Sequence, residues 1–345
     1  MSELGNKLLD EGLRELRRRL PPGWVVSAAP THRGDSTTNA ALAGPDQSMG
    51  PLRLAARGNV EPRDVAALAD DARASGTPTA IVSRYLSVST RDRLKERGLG
   101  FLDLTGNVRL VLSSPALWIE TQGVDKDPNR QERGARSLRG AQAGRLVRAL
   151  VDAAKPLGVR DLAAATSIDP GYVSRVLSFL DAETLVTRAA RGRLDTVDWP
   201  ALLRRWASDA PVPSRGRVTT WLDPRGLGAL TKRLSTAEVP YAITASLAAS
   251  RLAPVAPPRL ATLWTWDADA TAAALGLRPA DAGANVMLIE APDDSPFVGA
   301  SEVEGLRYAA PSQVVVDLLG SPGRGPAEAE ALITWMREHE GVWRG

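Results

Sequence analysis

The chain has 345 residues, with 43 Lys and Arg against 40 Asp and Glu and a formal net charge of +3. At roughly 100–200 residues per domain, this length predicts two or three domains. The chain has no cysteine and two histidines. This composition excludes disulfide scaffolds, thiolate zinc sites, iron–sulfur clusters and cysteine nucleophiles, and we expect no cofactor.

The sequence predicts neither a membrane span nor a signal peptide. No stretch approaches the about 18 apolar residues that a spanning helix needs. The first ten residues contain Glu3 and Asp10 and lack the apolar region of a signal peptide. We therefore expect a cytoplasmic protein without a membrane partner.

Residues 1–124 are predicted to form an α/β domain with a mixed sheet. Leucines recur near every 3.6 residues from Leu8 to Leu20, which predicts an opening amphipathic helix. The polar stretch from Thr31 to Gly50 has no period and predicts a mobile loop. Thr105–Asn107 is typical of a hairpin turn. Strands are predicted at Trp24–Ser27, Pro51–Ala56, Thr79–Ser83, Phe101–Leu104, Val108–Leu112 and Trp118–Glu120. Helices are predicted at Glu61–Ser75 and, with Ser89 or Thr90 as its N-cap, through Arg97.

The order of these elements resembles a restriction-endonuclease-like core. Active members of that group hold Mg²⁺ with one aspartate and a Glu-x-Lys pair. The second predicted strand should carry the pair, but Ala55 stands at the acid position and Arg57 at the lysine position. Asp35, a candidate for the first acid, falls in the predicted loop. The domain is therefore predicted to be catalytically inactive.

Residues 125–141 are predicted to be a basic linker. Arginines recur every third residue at Arg130, Arg133, Arg136 and Arg139. They either form a solvated linker or contact DNA phosphates beside the following domain. The candidate phosphate contacts are Arg136, Arg139 and Arg145.

Residues 142–209 have the pattern of a winged helix-turn-helix. Helices are predicted at Arg145–Ala154, Gly158–Ala165 and Asp169–Glu183, with a tight turn at Thr166–Ile168 and Asp169 as the N-cap of the third helix. Leu185–Arg188 and Leu194–Val197 then predict a hairpin, and Asp198 caps a further helix. The stretch from residue 125 to 193 holds 13 basic and 8 acidic residues, so the positive charge collects here.

The third helix of this domain is predicted to enter the major groove, and the hairpin arginines to hold the backbone. The alternative is a three-helix domain that binds a protein partner. The candidate DNA-binding residues are Ser167, Asp169, Gly171, Tyr172, Ser174, Arg175, Arg188, Arg191 and Arg193.

Residues 210–345 are predicted to form a C-terminal α/β domain. Asp267 and Asp269 follow a predicted strand and resemble the acid pair of nucleotidyltransferases, with Thr244–Ser246 at the place of their triphosphate-binding turn. In the alternative interpretation, Asp267 caps the next helix. Helices are predicted at Pro224–Leu234, Ala245–Leu252, Asp267–Leu275, Ser312–Leu319 and Pro326–Glu340, with strands at Val218–Trp221, Tyr241–Thr244, Ala261–Trp266, Asn285–Glu290 and Arg307–Ala309.

Four pieces in this order resemble the AbiEi-type antitoxins. They are Tyr85–Ser87 with Arg93–Asn107, the winged helix, Tyr241–Ala249 and Ala310–Leu319. The resemblance implies a winged-helix transcriptional regulator of a type IV toxin–antitoxin system or a stand-alone relative. It implies repression by operator binding, and opposition to a nucleotidyltransferase toxin without a stable complex. Such antitoxins commonly begin with the winged helix, whereas residues 1–124 precede it here.

The sequence thus predicts a DNA-binding transcriptional regulator, a repressor or antitoxin-like autoregulator, that is not an enzyme. Its partner is double-stranded operator DNA, and a toxin or a second copy of the chain are further candidates. Two alternatives stay open. One is a nucleic-acid enzyme, a nuclease or a nucleotidyltransferase-like protein. The other is a winged-helix module for protein interaction.

Overall fold

The computed structural model describes residues 2–29, 36–125, 127–128, 137–189 and 193–345. Over these ranges the protein is a mixed α/β chain, as the sequence predicts. Within them no helix has the length and apolar character to cross a bilayer. The chain divides into two compact units, residues 1–133 with 182–184, and residues 134–181 with 185–345.

The first unit is built on a seven-stranded mixed sheet whose strands lie side by side in chain order. The strands are β1 (Val25–Ala28), β2 (Thr37–Ala43), β3 (Met49–Ala56), β4 (Thr79–Ser83), β5 (Gly100–Asp103), β6 (Val108–Ser113) and β7 (Ala116–Thr121). The outer pairs are antiparallel, whereas β3, β4 and β5 are parallel. Parallel neighbours need crossovers, which α2 (Val65–Ser75) and α3 (Val88–Glu96) supply.

Helices cover both faces of this sheet and create two apolar cores. On one face lies α1 (Ser2–Arg19), whose Leu9 and Leu16 are buried in the same cluster as Leu54 of β3. On the other face, Leu94 of α3 packs in a cluster with Phe101 of β5. The leucine spacing that predicts α1 is therefore the face by which this helix joins the sheet.

The predicted loop from Thr31 to Gly50 is wrong, because residues 36–50 contain β2 and the start of β3. Thr38, Ala40 and Leu42 are buried, while the residues between them are at least partly exposed. This period of two is typical of a strand. In β2 most of the alternating positions are threonine or alanine, so the hydrophobicity of successive residues barely alternates along the sequence. Residues 31–35 of the predicted loop, including Asp35, lie outside the described residues.

The N-cap of α3 also differs from the prediction. Ser87, rather than Ser89 or Thr90, caps this helix, and its Oγ accepts the backbone N–H of Thr90 at 3.2 Å. Val88 already belongs to the helix. Because several hydroxyl residues adjoin each other here, the pattern indicates a cap without identifying which residue supplies it.

The second unit begins with the elements predicted for residues 142–209. They are α4 (Ala141–Asp152), α5 (Val159–Thr166), α6 (Pro170–Ala182), β8 (Val186–Arg188), β9 (Leu194–Val197) and α7 (Trp199–Asp209). Strands β8 and β9 pair antiparallel, which confirms the predicted hairpin. The predicted cap of α7 is confirmed too, since Asp198 Oδ1 accepts the N–H of Ala201 at 3.1 Å.

A second seven-stranded mixed sheet follows, in the order β13-β10-β14-β12-β11-β16-β15. Its strands are β10 (Arg217–Leu222), β11 (Tyr241–Thr244), β12 (Ala261–Thr265), β13 (Arg278–Pro279), β14 (Val286–Glu290), β15 (Ser301–Val303) and β16 (Leu306–Tyr308). The sequence does not predict β13 and β15, which are two and three residues long and too short for an alternating pattern. The helices are α8 (Leu227–Leu234), α9 (Ala245–Leu252), α10 (Ala268–Ala274), α11 (Pro311–Leu319), α12 (Gly325–Glu338) and α13 (Glu340–Trp343).

One continuous apolar core runs through the second unit. Leu146 of α4 and Val173 of α6 belong to the same buried cluster as Leu288 of β14 and Val315 of α11. Helix α11 packs against both α4 and α7. The stretches predicted as a winged helix and as a C-terminal domain therefore share their interior.

A buried carboxylate lies within this core. Asp317 of α11 is 1% exposed, and each of its carboxylate oxygens accepts two hydrogen bonds. Oδ2 accepts from Thr244 Oγ1 at 2.6 Å and Trp264 Nε1 at 2.7 Å. Oδ1 accepts from Gln313 Nε2 at 2.9 Å and from an arginine. Strands β11 and β12 are thus tied to α11 through one side chain.

The arginine is Arg215, which lies between α7 and β10. Its Nη1 reaches Asp317 at 2.6 Å, and its Nε donates to the carbonyl of Ala210 at 2.8 Å. Its guanidinium carbon lies 5.6 Å from the ring centre of Trp206 and 5.9 Å from that of Trp264. Cation–π contacts of this kind supplement the ion pair where water is excluded.

We expect Asp317→Asn to lower the free energy of unfolding by about 3–5 kcal/mol, because it leaves the Arg215 guanidinium buried without a counter-charge. Urea denaturation measures the loss. Glu330→Gln is the control, since it breaks the exposed Arg204–Glu330 pair at 2.5 Å. That change should lower the free energy of unfolding by less than about 1 kcal/mol. Equal losses in the two variants would contradict the assigned role of Asp317.

Candidate nucleic-acid interface

The turn between α5 and α6 is held by backbone hydrogen bonds and one left-handed residue. Ser167 has φ 54° and ends α5, with its N–H bonded to the carbonyl of Ala163. The N–H of Ile168 donates to the same carbonyl at 3.2 Å, and the Ile168 side chain is buried. The predicted tight turn at Thr166–Ile168 is confirmed, and Ser167 is exposed on it.

Helix α6 begins as its sequence predicts. Pro170 is its first residue, and Asp169 Oδ1 accepts the backbone N–H of Tyr172 at 2.9 Å. This hydrogen bond satisfies a donor that the helix itself cannot pair. The carboxylate also lies at the positive end of the helix dipole. The start of α6 is therefore fixed in position.

The two sides of α6 differ in burial. One side packs into the core through Val173, Val176, Leu177 and Leu180. The other leaves Gly171, Ser174, Arg175 and Ser178 exposed. The helix therefore has a core side and a free polar face.

Tyr172 lies at the border of this free face and is partly buried. The guanidinium carbon of Arg175 lies 5.9 Å from its ring centre. Burial raises the pKa of Tyr172, and the charge of Arg175 partly opposes the shift. The phenol therefore keeps its proton at neutral pH and remains a hydrogen-bond donor.

The hairpin brings one arginine to α6. Arg188 of β8 donates from Nη2 to Ser178 Oγ at 3.4 Å, while its Nε is buried and has no hydrogen-bond partner among the described residues. Arg193 lies directly before β9 and is exposed. Arg191 lies outside the described residues. The structure thus unites Arg188 with the free face of α6 and leaves Arg193 accessible on the hairpin.

The candidate phosphate contacts Arg139 and Arg145 are bonded to other groups of the protein. Arg139 Nε donates to the carbonyl of Asp209 at 2.8 Å. Arg145 is partly buried, and its Nη2 lies 3.0 Å from Asp294 Oδ1. Both guanidinium groups are held by other parts of the second unit. Arg130, Arg133 and Arg136 lie outside the described residues.

The acid pair of the C-terminal sheet is engaged by neighbouring groups. Asp267 Oδ1 accepts the N–H of Ala270 at 2.8 Å, which confirms the helix-cap interpretation. Arg217 Nη2 lies 3.2 Å from Asp269 Oδ2 and 2.7 Å from Glu290 Oε2. The hydrogen bond from Arg217 holds the pKa of Glu290 below its usual range. Among the described residues, no group of three His, Cys, Asp or Glu side chains is arranged to hold a metal ion.

The turn Thr244–Ser246, which was compared with a triphosphate-binding turn, lies beside a buried carboxylate. Ala245 has φ 52°, a conformation that favours glycine. The next residue, Ser246, donates its hydroxyl to Glu328, which is 5% exposed. A buried carboxylate at this position repels phosphate and occupies the serine hydroxyl.

The two positions of the first unit that were compared with a Glu-x-Lys pair carry no carboxylate. Ala55 is 1% exposed and belongs to the cluster beneath α2 and α3. Arg57 donates from Nη1 to the carbonyl of Ala56 at 2.8 Å. Strand β2 was not predicted, so Ala55 lies on the third strand of the sheet rather than on the second, as expected from the sequence.

Sequence reasoning missed a buried polar group at the β5–β6 turn. Asp103 is fully buried, and its carboxylate accepts the backbone N–H groups of Leu86, Thr105 and Asn107, each at 3.0 Å. Arg91 in turn donates to the side-chain oxygen of Asn107. The spacing Asp-x-Thr-x-Asn is the signal, because aspartate pairs with backbone groups two to four residues ahead in such turns. The group closes the predicted hairpin turn.

Comparison of the chain with protein-family models, with curated proteins and with solved structures finds no match in any of the three. The resemblance to the AbiEi-type antitoxins therefore stays a prediction. The assignment of a function depends on the geometry of α6 and its hairpin.

We expect Asp169→Ala to lower the free energy of unfolding by about 0.5–2 kcal/mol, because the N–H of Tyr172 loses its acceptor. Denaturant unfolding followed by circular dichroism measures the change. Asp195→Ala is the control, since it removes the same charge from an exposed position on β9. The cap has no role in stability if both variants unfold alike.

Proposed function

We propose that this chain is a sequence-specific transcriptional regulator that binds double-stranded DNA through a winged helix-turn-helix, residues 142–209. The observation that carries the proposal is the free polar face of α6. Its N-terminus is capped, Ser174 and Arg175 are exposed on it, and Arg188 of the hairpin reaches its side. A helix of this kind enters the major groove and presents its N-terminal residues to base edges.

The residues of this face have the chemistry of base recognition. An arginine donates two hydrogen bonds to guanine O6 and N7, and a serine hydroxyl pairs with any base edge. Arg175 is assigned the base contact, since Arg175 has no salt bridge within the described residues and is exposed. Its contact with the Tyr172 ring limits the directions that the guanidinium takes. Ser174 and Gly171 allow the helix to approach the groove closely.

The hairpin is assigned to the DNA backbone. Arg193 is exposed next to β9, and Arg188 lies along α6. Arginines on such a wing contact phosphates or the minor groove. The hydroxyls of Thr187 and Thr196 lie 2.7 Å apart across the two strands and align them. Because other groups hold Arg139 and Arg145, the phosphate contacts fall first to the hairpin.

The first unit is proposed to be a non-catalytic endonuclease-like domain. Its order, one helix, three strands, a helix and a strand, supports the comparison. The place expected for the metal-binding acid holds the buried Ala55. Together with the AbiEi-like order of pieces, these features favour a repressor that controls its own operon. Its cognate site is then expected in the DNA upstream of its gene.

We expect the purified protein to bind its own upstream DNA and to retain that binding against an excess of unrelated duplex. Arg175→Ala should lose about 1–3 kcal/mol of binding free energy for the specific site, roughly 5- to 150-fold in affinity. Electrophoretic mobility shift and footprinting measure the loss. Arg278→Ala is the charge-matched control, because this exposed arginine lies on strand β13 of the sheet.

A footprint unchanged by Arg175→Ala would remove α6 from the recognition role. Binding that disappears at physiological salt and ignores sequence would reduce the activity to nonspecific phosphate contact. Complete absence of salt-dependent DNA binding would favour a winged helix that binds protein.

We expect Arg193→Ala to weaken binding to specific and unrelated DNA by similar factors, because a phosphate contact carries no sequence information. The slope of log K against log salt should fall by about one. Fluorescence anisotropy at several salt concentrations measures this slope. Arg278→Ala should leave the slope unchanged, and a selective loss at the specific site would assign Arg193 to a base instead.

A further inference from the structure

The first unit contains a pocket at the carboxyl ends of two parallel strands. Ser83 of β4 pairs with Asp103 of β5, and the residues that follow them, Arg84 and Leu104, line the pocket. The cavity measures about 260 Å³. In open α/β sheets, ligands bind in crevices outside the carboxyl ends of the parallel strands. The pocket therefore lies where this architecture commonly holds a small molecule.

Helix α1 forms the opposite wall and packs closely against the sheet. Lys7 and Glu11, one turn apart on this helix, line the pocket. A Cβ atom at Gly12 would lie 2.5 Å from Cγ1 of Val82, so the glycine allows α1 to pack directly on β4. Leu8 of α1 is buried in the same apolar cluster as Val82. The wall that carries Lys7 and Glu11 is therefore preformed.

The strand side of the pocket is fixed as well. The N–H of Leu104 donates to the carbonyl of Ser83 at 3.2 Å, which joins the ends of β4 and β5. Thr105 donates its N–H and its hydroxyl to Asp103 Oδ1 at 3.0 and 2.7 Å. The hydroxyl of Thr105 is therefore engaged within the turn. Leu104 and Thr105 are both partly exposed, and they supply chiefly apolar surface to the cavity.

The pocket also carries two cations and one carboxylate that the fold leaves unpaired. Within the part of the chain that the structure describes, Lys7, Arg84 and Glu11 form no ion pair with one another or with other groups. On the same helix, by contrast, Glu15 lies 2.8 Å from Arg19 Nε. Lys7 and Arg84 are exposed and Glu11 is partly exposed, so a ligand can reach all three. Their charges are available for recognition.

These charges favour a phosphate monoester that also carries hydroxyl groups. Such a phosphate has a charge of about −1.5 to −2 at neutral pH, which two cations match. An arginine donates two parallel hydrogen bonds to phosphate oxygens, and a lysine adds a flexible point charge. The carboxylate of Glu11 is an acceptor for sugar hydroxyls. A ligand with a single carboxylate would leave one of the two cations unmatched.

A DNA backbone also presents phosphates, but the pocket suits it less well. The two cations border a cavity rather than a broad surface, and Glu11 lies in the same cavity. Its carboxylate repels a row of phosphates. The sugars within a DNA strand have no free hydroxyl to donate to this carboxylate. The combination of Lys7, Arg84 and Glu11 therefore favours a small molecule.

We infer that this pocket binds a small sugar phosphate. Arg84 and Lys7 hold the phosphate, and a sugar hydroxyl donates to Glu11. The carbon skeleton lies beside Leu104. The cavity is somewhat smaller than the roughly 300–1,000 Å³ of drug-sized pockets, which suits a sugar of about five carbons. Binding at this site is independent of the DNA contacts proposed for the second unit.

The test is a titration of the full chain with ribose 5-phosphate, followed by saturation-transfer difference NMR on the sugar protons. We expect saturable binding with a dissociation constant of about 0.1–1 mM, as is usual for so small a ligand. Arg84→Ala should weaken binding by about tenfold or more, because charge-assisted hydrogen bonds to the phosphate are lost. Ribose, which has no phosphate, should bind at least about tenfold more weakly for the same reason.

Competition with inorganic phosphate tests the contact with the sugar. The unaltered chain should prefer ribose 5-phosphate over inorganic phosphate by about tenfold, through the hydrogen bond to the Glu11 carboxylate. Glu11→Ala should reduce this preference, because it removes the acceptor and the repulsion of the phosphate together. Equal affinity for the two ligands in the unaltered chain would overturn the assignment of a sugar phosphate.

Arg97→Ala is the charge-matched control, since Arg97 is exposed at the end of α3 outside the pocket, and this variant should bind as the unaltered chain does. Circular dichroism verifies that each variant is folded. Absence of saturable binding, or equal binding by the folded Arg84→Ala variant, overturns the proposal. Loss of DNA affinity in Arg84→Ala without any binding of ribose 5-phosphate would also overturn it, and would assign the two cations to a DNA backbone.

Discussion

Four side chains from different segments of the second unit donate hydrogen bonds to the carboxylate of Asp317. A charge removed from water is tolerated when its acceptor positions are filled and an opposite charge lies beside it. Both conditions are met here, through Arg215 and three neutral donors. Replacing a buried charged group with apolar residues of similar volume often leaves the stability of a protein unchanged. The contribution of Asp317 is therefore to hold the elements around it in fixed positions. It fixes α11 against β11 and β12, and with them the interior that α4 and α6 share.

Residue patterns predicted the elements whose signals are local and strong. The third helix of the winged-helix segment was predictable because Asp169 and Pro170 mark its start and valines and leucines mark its buried side. Strand β2 was not, because small residues carry its alternation and pairing with β1 and β3 stabilises it. Strands β13 and β15 are two and three residues long and exist through their neighbours alone.

The candidate interface was likewise predictable only where its signals are local in the sequence. The exposed residues of α6 follow from helical spacing, so Ser174 and Arg175 were found from the sequence. The surroundings of Arg139 and Arg145 were not, because their partners, Asp209 and Asp294, are distant in sequence. The buried Asp103 is likewise not predicted, although its turn spacing is visible in the sequence. The sequence shows that a residue is charged. Whether its charge is free to bind DNA depends on the groups that the fold places beside it.

The shared interior of the second unit has an evolutionary consequence. Many DNA-binding modules are exchanged between proteins as separate cassettes, joined by flexible linkers. Here Leu146 and Val173 lie in one cluster with Leu288 and Val315, and α11 packs against α4 and α7, so transplanting residues 142–209 alone would expose apolar surface that α11 now covers. We therefore expect recombination within this unit to be selected against. The helices that would recognise DNA and the sheet beside them are expected to be inherited together and to change in step.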